Sequence, residues 1–126
     1  MKSILRILLV LSVATIAGCY YDSEEKLYPV IPTSCDLKNV TYSATVKPIL
    51  QASCYTCHSN ANYANKGAGF KLENYADVLT LVQNGKLMGS VKHLSGFLPM
   101  PNSGGKLSDC EISQLQKWID NKTPNN

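Results

Sequence analysis

Apolar residues along this chain fall into one continuous run near the start and several periodic stretches further on, separated by polar segments bearing glycine or proline. The run covers residues 7–17, interrupted only by Ser12 and Thr15, and follows Lys2 and Arg6. A positive start and an apolar centre of 11 residues have the form of a secretion signal, too short to span a bilayer. Beyond residue 34 the spacing becomes helical. Val46, Ile49 and Leu50 predict a helix from residue 43 or 45 to 53, with Pro48 near its start, where the amide proton it lacks has no partner to lose. Tyr75, Val78, Leu79 and Val82 follow i, i+3, i+4, i+7 within residues 74–84, and Gly85 supplies a left-handed stop. A shorter and weaker helix is expected over residues 89–94. Ser108 and Glu111 form an S-x-x-E capping box that opens a last helix, with Ile112, Leu115, Trp118 and Ile119 on one face. No alternating pattern of useful length occurs. The expected fold class is therefore all-α, with a glycine-rich loop over residues 95–106 before the last helix.

This patterning divides the chain into three parts. Residues 1–18 are the signal segment. Residues 19–34 show no apolar period and carry Pro29 and Pro32, which makes them a tether. Residues 35–126 form one small domain of about 90 residues, a length at which an apolar cofactor would supply much of the core. No internal repeat or low-complexity tract is visible.

The signal segment ends Ile16-Ala17-Gly18-Cys19, which resembles the lipobox of bacterial lipoproteins. That resemblance implies cleavage before Cys19 and acylation of it, with more than one acyl chain giving stable attachment. The competing reading is an ordinary signal peptide with a cysteine after its small residues. Tyr20, rather than an aspartate, follows Cys19, which by the same resemblance implies the outer membrane, facing the periplasm or the exterior. Without Lys2 and Arg6 the 12 basic residues become 10 against 9 acidic ones, and the net charge of +3 falls to +1. A near-neutral domain gives no support to nucleic-acid binding, which needs a basic face. Residues 59–107 carry five lysines and two acids, an excess that a solvated loop surface explains better than an acidic partner does.

The candidate chemistry lies in Cys54-Tyr55-Thr56-Cys57-His58, a C-x-x-C-H motif of the kind that attaches haem covalently. Two thiols three residues apart on a helical turn can each add to one haem vinyl group, and the adjacent imidazole then falls beneath the iron. Two other uses of these cysteines compete. A thioredoxin-like dithiol needs a β-α-β setting, which the surrounding pattern lacks. A structural zinc site could recruit Cys35, Cys54, Cys57 and Cys110, but it normally shows a second paired knuckle, and here the other two cysteines are singletons.

With Cys19 assigned to lipid and Cys54 and Cys57 to haem, Cys35 and Cys110 remain as an even pair in an oxidising compartment. A disulfide between them is expected; two buried free thiols are the alternative. An iron held by His58 needs a ligand on its other side. Met100, in Phe97-Leu98-Pro99-Met100-Pro101, projects from a loop that two prolines bar from helix, and it is the preferred distal ligand. A lone methionine is otherwise core filler. His93 is the rival, and would give a bis-histidine iron; failing that, it hydrogen-bonds a propionate or a backbone carbonyl.

The order C-x-x-C-H, a methionine followed by proline some 40 residues on, and a capped helix from Leu107-Ser108-Asp109-Cys110-Glu111-Ile112 to Trp118-Ile119-Asp120 resembles class I cytochrome c over residues 42–121. Within that family it is most similar to the small lipoprotein cytochromes of Bacteroidota. The resemblance implies an all-α domain wrapped around one covalent haem c, its first and last helices crossing near the haem edge. Packing of those helices would bring Cys35 and Cys110 together. One departure stands out: the family often has a proline soon after the motif, whose carbonyl orients the proximal imidazole, and none lies between His58 and Leu98. The function so implied is one-electron transfer between redox partner proteins at a membrane, without catalysis. The alternatives are a peroxidase-like haem enzyme or small-molecule binder, which needs a distal acid-base residue and has only His93 to offer, and a haem-free zinc-stabilised lipoprotein.

Overall fold

The computed structural model describes residues 35–102 and 105–126, so the signal segment, Cys19 and the tether lie outside the described residues. Thr41 opens the first helix by accepting the Ala44 amide on its hydroxyl at 3.1 Å. The first turn, Tyr42–Val46, is π-helical, with the Val46 amide reaching back to the Thr41 carbonyl at 3.1 Å, and it runs on into α1, Lys47–Ser53. The widening falls just before Pro48, which has no amide to give the carbonyl four residues back and whose ring crowds it. After a break at Cys54 comes α2, Tyr55–His58, then an irregular segment, α3, Tyr75–Gln83, α4, Lys86–Val91, and α5, Asp109–Asp120. Among the described residues there is no strand, and the all-α expectation holds.

Two elements differ from their sequence expectation. The short helix spans Lys86–Val91 rather than residues 89–94. Gly85, at φ 74°, both ends α3 and starts α4, and the Asn84 side chain accepts the Lys86 amide at 3.0 Å, so the new helix begins at once. Gly89 reads as a helix breaker but lies inside α4, where a Cβ would come within 2.5 Å of the Phe97 ring. On α3 the buried positions are Val78 and Leu81, with Leu79 only partly covered, so the inward face is rotated relative to the expected one.

Val46, Leu50, Val78, Leu115 and Trp118 are fully enclosed and form the centre of the core. Trp118 stands 5.6 Å from the Tyr42 ring and 6.4 Å from the Tyr75 ring, and those two tyrosines meet edge to face at 5.1 Å. The cluster thus joins the first helix, α3 and α5. The C-terminal residues close over it: Trp118 Nε1 donates to the Pro124 carbonyl at 2.9 Å and the Tyr75 hydroxyl to that of Thr123 at 2.7 Å. The Ser43 amide donates to the Asn126 carbonyl at 2.8 Å, and the Tyr42 amide to the Asn126 side chain at 2.9 Å. Burial pushes the Tyr42 phenol up to about 12, and among the described residues its oxygen has no hydrogen-bond partner.

The capping box on α5 is complete, Ser108 Oγ accepting the Glu111 amide at 3.2 Å while the Glu111 carboxylate accepts the Ser108 amide at 2.9 Å. Cys110, in the first turn of that helix, is joined to Cys35, with 2.03 Å between the sulfurs and 5.6 Å between the Cα atoms. The expected pairing is therefore present. Gln114 adds a hydrogen bond from α5 to the Asp36 carbonyl at 3.2 Å, holding the same start of the domain. No helix among the described residues is long and apolar enough to cross a membrane.

Candidate functional site

Residues 54–58 sit where α1 gives way to α2. The Cys57 and His58 amides both donate to the Cys54 carbonyl, at 3.1 and 2.9 Å, so the motif forms one tight helical turn. Cys54 packs against the core while Cys57 and His58 are half-buried. The two thiols are not joined to each other. Burial pushes the Cys54 thiol up to about 11, and the neighbouring Cys57 and Glu111 of α5 add to the shift. At neutral pH this thiol is protonated, which separates it from the acidic cysteine of a dithiol oxidoreductase.

The segment after the motif folds back over it. The Leu72 amide donates to the His58 carbonyl at 2.9 Å, the Asn62 side chain to the Thr56 carbonyl at 3.0 Å, and the Asn60 amide to the Glu73 carboxylate at 2.6 Å. Within this wrap His58 Nδ1 lies 3.0 Å from the Phe70 carbonyl oxygen. A carbonyl only accepts, so Nδ1 carries a proton, and in the neutral imidazole that leaves the lone pair on Nε2. A backbone carbonyl thus orients the imidazole although no proline supplies it. Gly67 makes the arrangement possible: a Cβ there would stand 2.7 Å from the Cys57 carbonyl and 2.9 Å from His58 Nδ1, and the obstruction is backbone and a hydrogen-bonded ring. Gly67→Ala is expected to cost roughly 1–3 kcal/mol, as overpacking does. Urea unfolding checks the loss, and NMR should show the His58 Nδ1 proton exchanging faster.

Met100 is half-buried and lies on a loop leaving α4, with its peptide to Pro101 cis. Its amide donates to the Ser90 carbonyl at 3.1 Å, and its carbonyl accepts from His93 Nε2 at 3.0 Å. Among the described residues no hydrogen bond joins Met100 to residues 54–58. The two halves are related through α4, which bears on both: Lys86 Nζ stands 4.5 Å from the centre of the Phe70 ring, Gly89 meets the Phe97 ring, and Ser90 holds Met100. Phe70 on the His58 side, and Leu94, Phe97 and Leu98 in the segment that leads to Met100, all expose apolar side chains, Leu98 to 63%.

The zinc reading fares poorly in this arrangement. Cys35 and Cys110 are bonded to each other, which takes two of its four thiols, and among the described residues no cluster of three metal-binding side chains forms. The lysine excess is partly committed within the molecule. Lys71 lies over the Tyr63 ring at 4.4 Å, Lys86 over Phe70, and Lys92 donates to the Gln116 side chain at 2.8 Å. Sequence reasoning named Cys54, Cys57, His58, Met100 and His93 but missed Phe70, Gly67 and Ser90. Phe70 and Ser90 act through backbone carbonyls, which no side chain advertises; Gly67 left only the faint signal of a glycine nine residues past the motif. No family model matches the chain, and no curated protein or solved structure matches it.

Proposed function

We propose that residues 35–126 are a mono-haem electron-transfer domain of the class I cytochrome c type, acylated at Cys19, tethered to the outer membrane, and passing single electrons between redox partner proteins. The observation that carries this reading is the hydrogen bond from His58 Nδ1 to the Phe70 carbonyl, which leaves Nε2 as a ligand of fixed orientation beside two free thiols. Cys54 and Cys57 are the thioether anchors, His58 the proximal ligand and Met100 the distal one. Bound haem c would supply reversible one-electron chemistry at its iron. The chain's part would be to hold the iron through His58 and Met100, cover the group with apolar side chains and tune it. Phe70, whose carbonyl holds His58, and Leu94, Phe97 and Leu98, which lie within six residues of Met100 along the chain, suit that cover, since they are apolar and exposed.

Electron transfer is favoured over a peroxidase-like enzyme by the state of His93. Its Nε2 is engaged by the Met100 carbonyl, so it is poorly placed to act as a distal acid-base group, and the same contact argues against it as the iron ligand. In the haem-loaded full chain, Met100→Ala is expected to remove a far-red sulfur-to-iron band and to lower the reduction potential by on the order of 0.1 V, part of the roughly 0.8 V range that axial ligands command. A five-coordinate or high-spin iron in the unsubstituted protein, or a potential unmoved by the substitution, would sink the reading.

A further inference from the structure

The C-terminus of α4 places a histidine where helices usually place glycine. The His93 amide donates to the Ser90 carbonyl at 3.1 Å and the Leu94 amide to the Gly89 carbonyl at 2.9 Å, which is the paired pattern of a Schellman stop with His93 at its left-handed position. His93 has φ 58°, a conformation that burdens a residue with a Cβ and that glycine adopts freely. Its side chain makes one contact that glycine could not, the hydrogen bond from Nε2 to the Met100 carbonyl at 3.0 Å. A carbonyl oxygen carries no proton, so Nε2 supplies it. The Ser90 carbonyl, already receiving the His93 amide, also accepts the Met100 amide at 3.1 Å. Both main-chain polar groups of Met100 are therefore tied to the end of α4, the amide to Ser90 in its last turn and the carbonyl to His93 just beyond its cap.

We propose that His93 is a positioning residue for Met100: its Nε2–H clamps the Met100 peptide to the end of α4 and sets how readily the Met100 side chain leaves the iron. The inference rests on Met100 being the distal ligand. It assigns His93 a role distinct from ligation, and it explains why a strained histidine stands in place of a relaxed glycine.

The test uses the haem-loaded full chain, with imidazole as a probe that competes with Met100 for ferric iron. His93→Gly suits the left-handed backbone, so the variant should fold at least as well as the parent, and a merely structural role for His93 predicts unchanged imidazole affinity. The clamp predicts imidazole binding tighter by about three- to tenfold, the effect of losing one hydrogen bond that holds the displaced group. His93→Gln, which keeps an N–H donor, should stay within about twofold of the parent. In a Met100→Ala background His93→Gly should leave the affinity unchanged. Equal affinities in parent and His93→Gly with the sulfur-to-iron band intact would overturn the clamp and leave Met100 ligation standing. So would a tightening of the same size in the Met100→Ala background. Absence of that band in the parent, with loss of low-spin iron in His93→Gly, would put His93 itself on the iron and overturn both.

Discussion

Replacing Cys35 and Cys110 together with alanine is expected to lower the midpoint of thermal unfolding by about 15–30 °C. The bridge links residues 75 positions apart. For a loop of that length the chain-entropy account gives roughly 4 kcal/mol, and each kcal/mol moves Tm by about 4–8 °C in a domain of this size. Few local contacts compensate. Val40 is anchored in the core, but the described chain before it is tied to α5 by this bond and by the Gln114 hydrogen bond to the Asp36 carbonyl, so without the bridge residues 35–39 can peel from α5. Circular dichroism melts of the oxidised parent and the double variant measure the effect. A shift of less than about 5 °C would mean that the unfolded chain is already compact enough to make the bridge redundant.

The second large effect is expected at Trp118. Its ring has no exposed surface and packs against both Tyr42 and Tyr75, and its Nε1 satisfies the Pro124 carbonyl. Trp118→Ala should cost about 3–5 kcal/mol, from lost burial and the cavity left behind. It also frees the C-terminal residues that cap the first helix. Trp118→Phe keeps most of the ring and loses the donor, so its cost should be nearer 1–2 kcal/mol, the scale of one hydrogen bond plus imperfect filling. Denaturant titrations give both values. An alanine variant within about 1 kcal/mol of the parent would contradict the placing of this cluster at the centre of the domain. Cys110 and Trp118 lie about 12 Å apart along α5, far enough for the two losses to add approximately. Their sum rivals the whole stability of an ordinary small domain, so α5 is the element on which the fold depends.

How far the chain could be read without its structure depended on where each feature keeps its signal. The last helix was legible because its capping box and its apolar face are both side-chain patterns, and both occur as read. The Cys35–Cys110 pair was legible by counting, since the other cysteines had assigned uses. The short helix lies three residues earlier than expected, with Gly89 inside it, and what requires glycine there is the Phe97 ring, a contact from eight residues further on. The π-helical turn before Pro48 and the Thr41 cap have no counterpart in the sequence expectation, which starts this helix at residue 43 or 45.

At the candidate site the division is the same. Cys54, Cys57 and His58 announce themselves by residue type and spacing. The group that orients His58 does not, because the Phe70 carbonyl belongs to the backbone and is brought there by the wrap of residues 59–72. For His93 the sequence offers ligation or a hydrogen bond to a propionate or a backbone carbonyl, and the structure contains a hydrogen bond to a backbone carbonyl, that of Met100.

The central claim is that Cys54 and Cys57 carry a covalent haem. It is tested most directly by expressing the full chain in a bacterium that exports it and matures c-type haem, denaturing the purified protein, extracting it with acidified acetone, and measuring its intact mass alongside a Cys54→Ser/Cys57→Ser variant. The account predicts a red protein that keeps its colour through extraction and exceeds the mass of the processed polypeptide by one haem, while the variant keeps neither. A parent chain that emerges colourless at the polypeptide mass, or one whose haem leaves with the solvent, would contradict it.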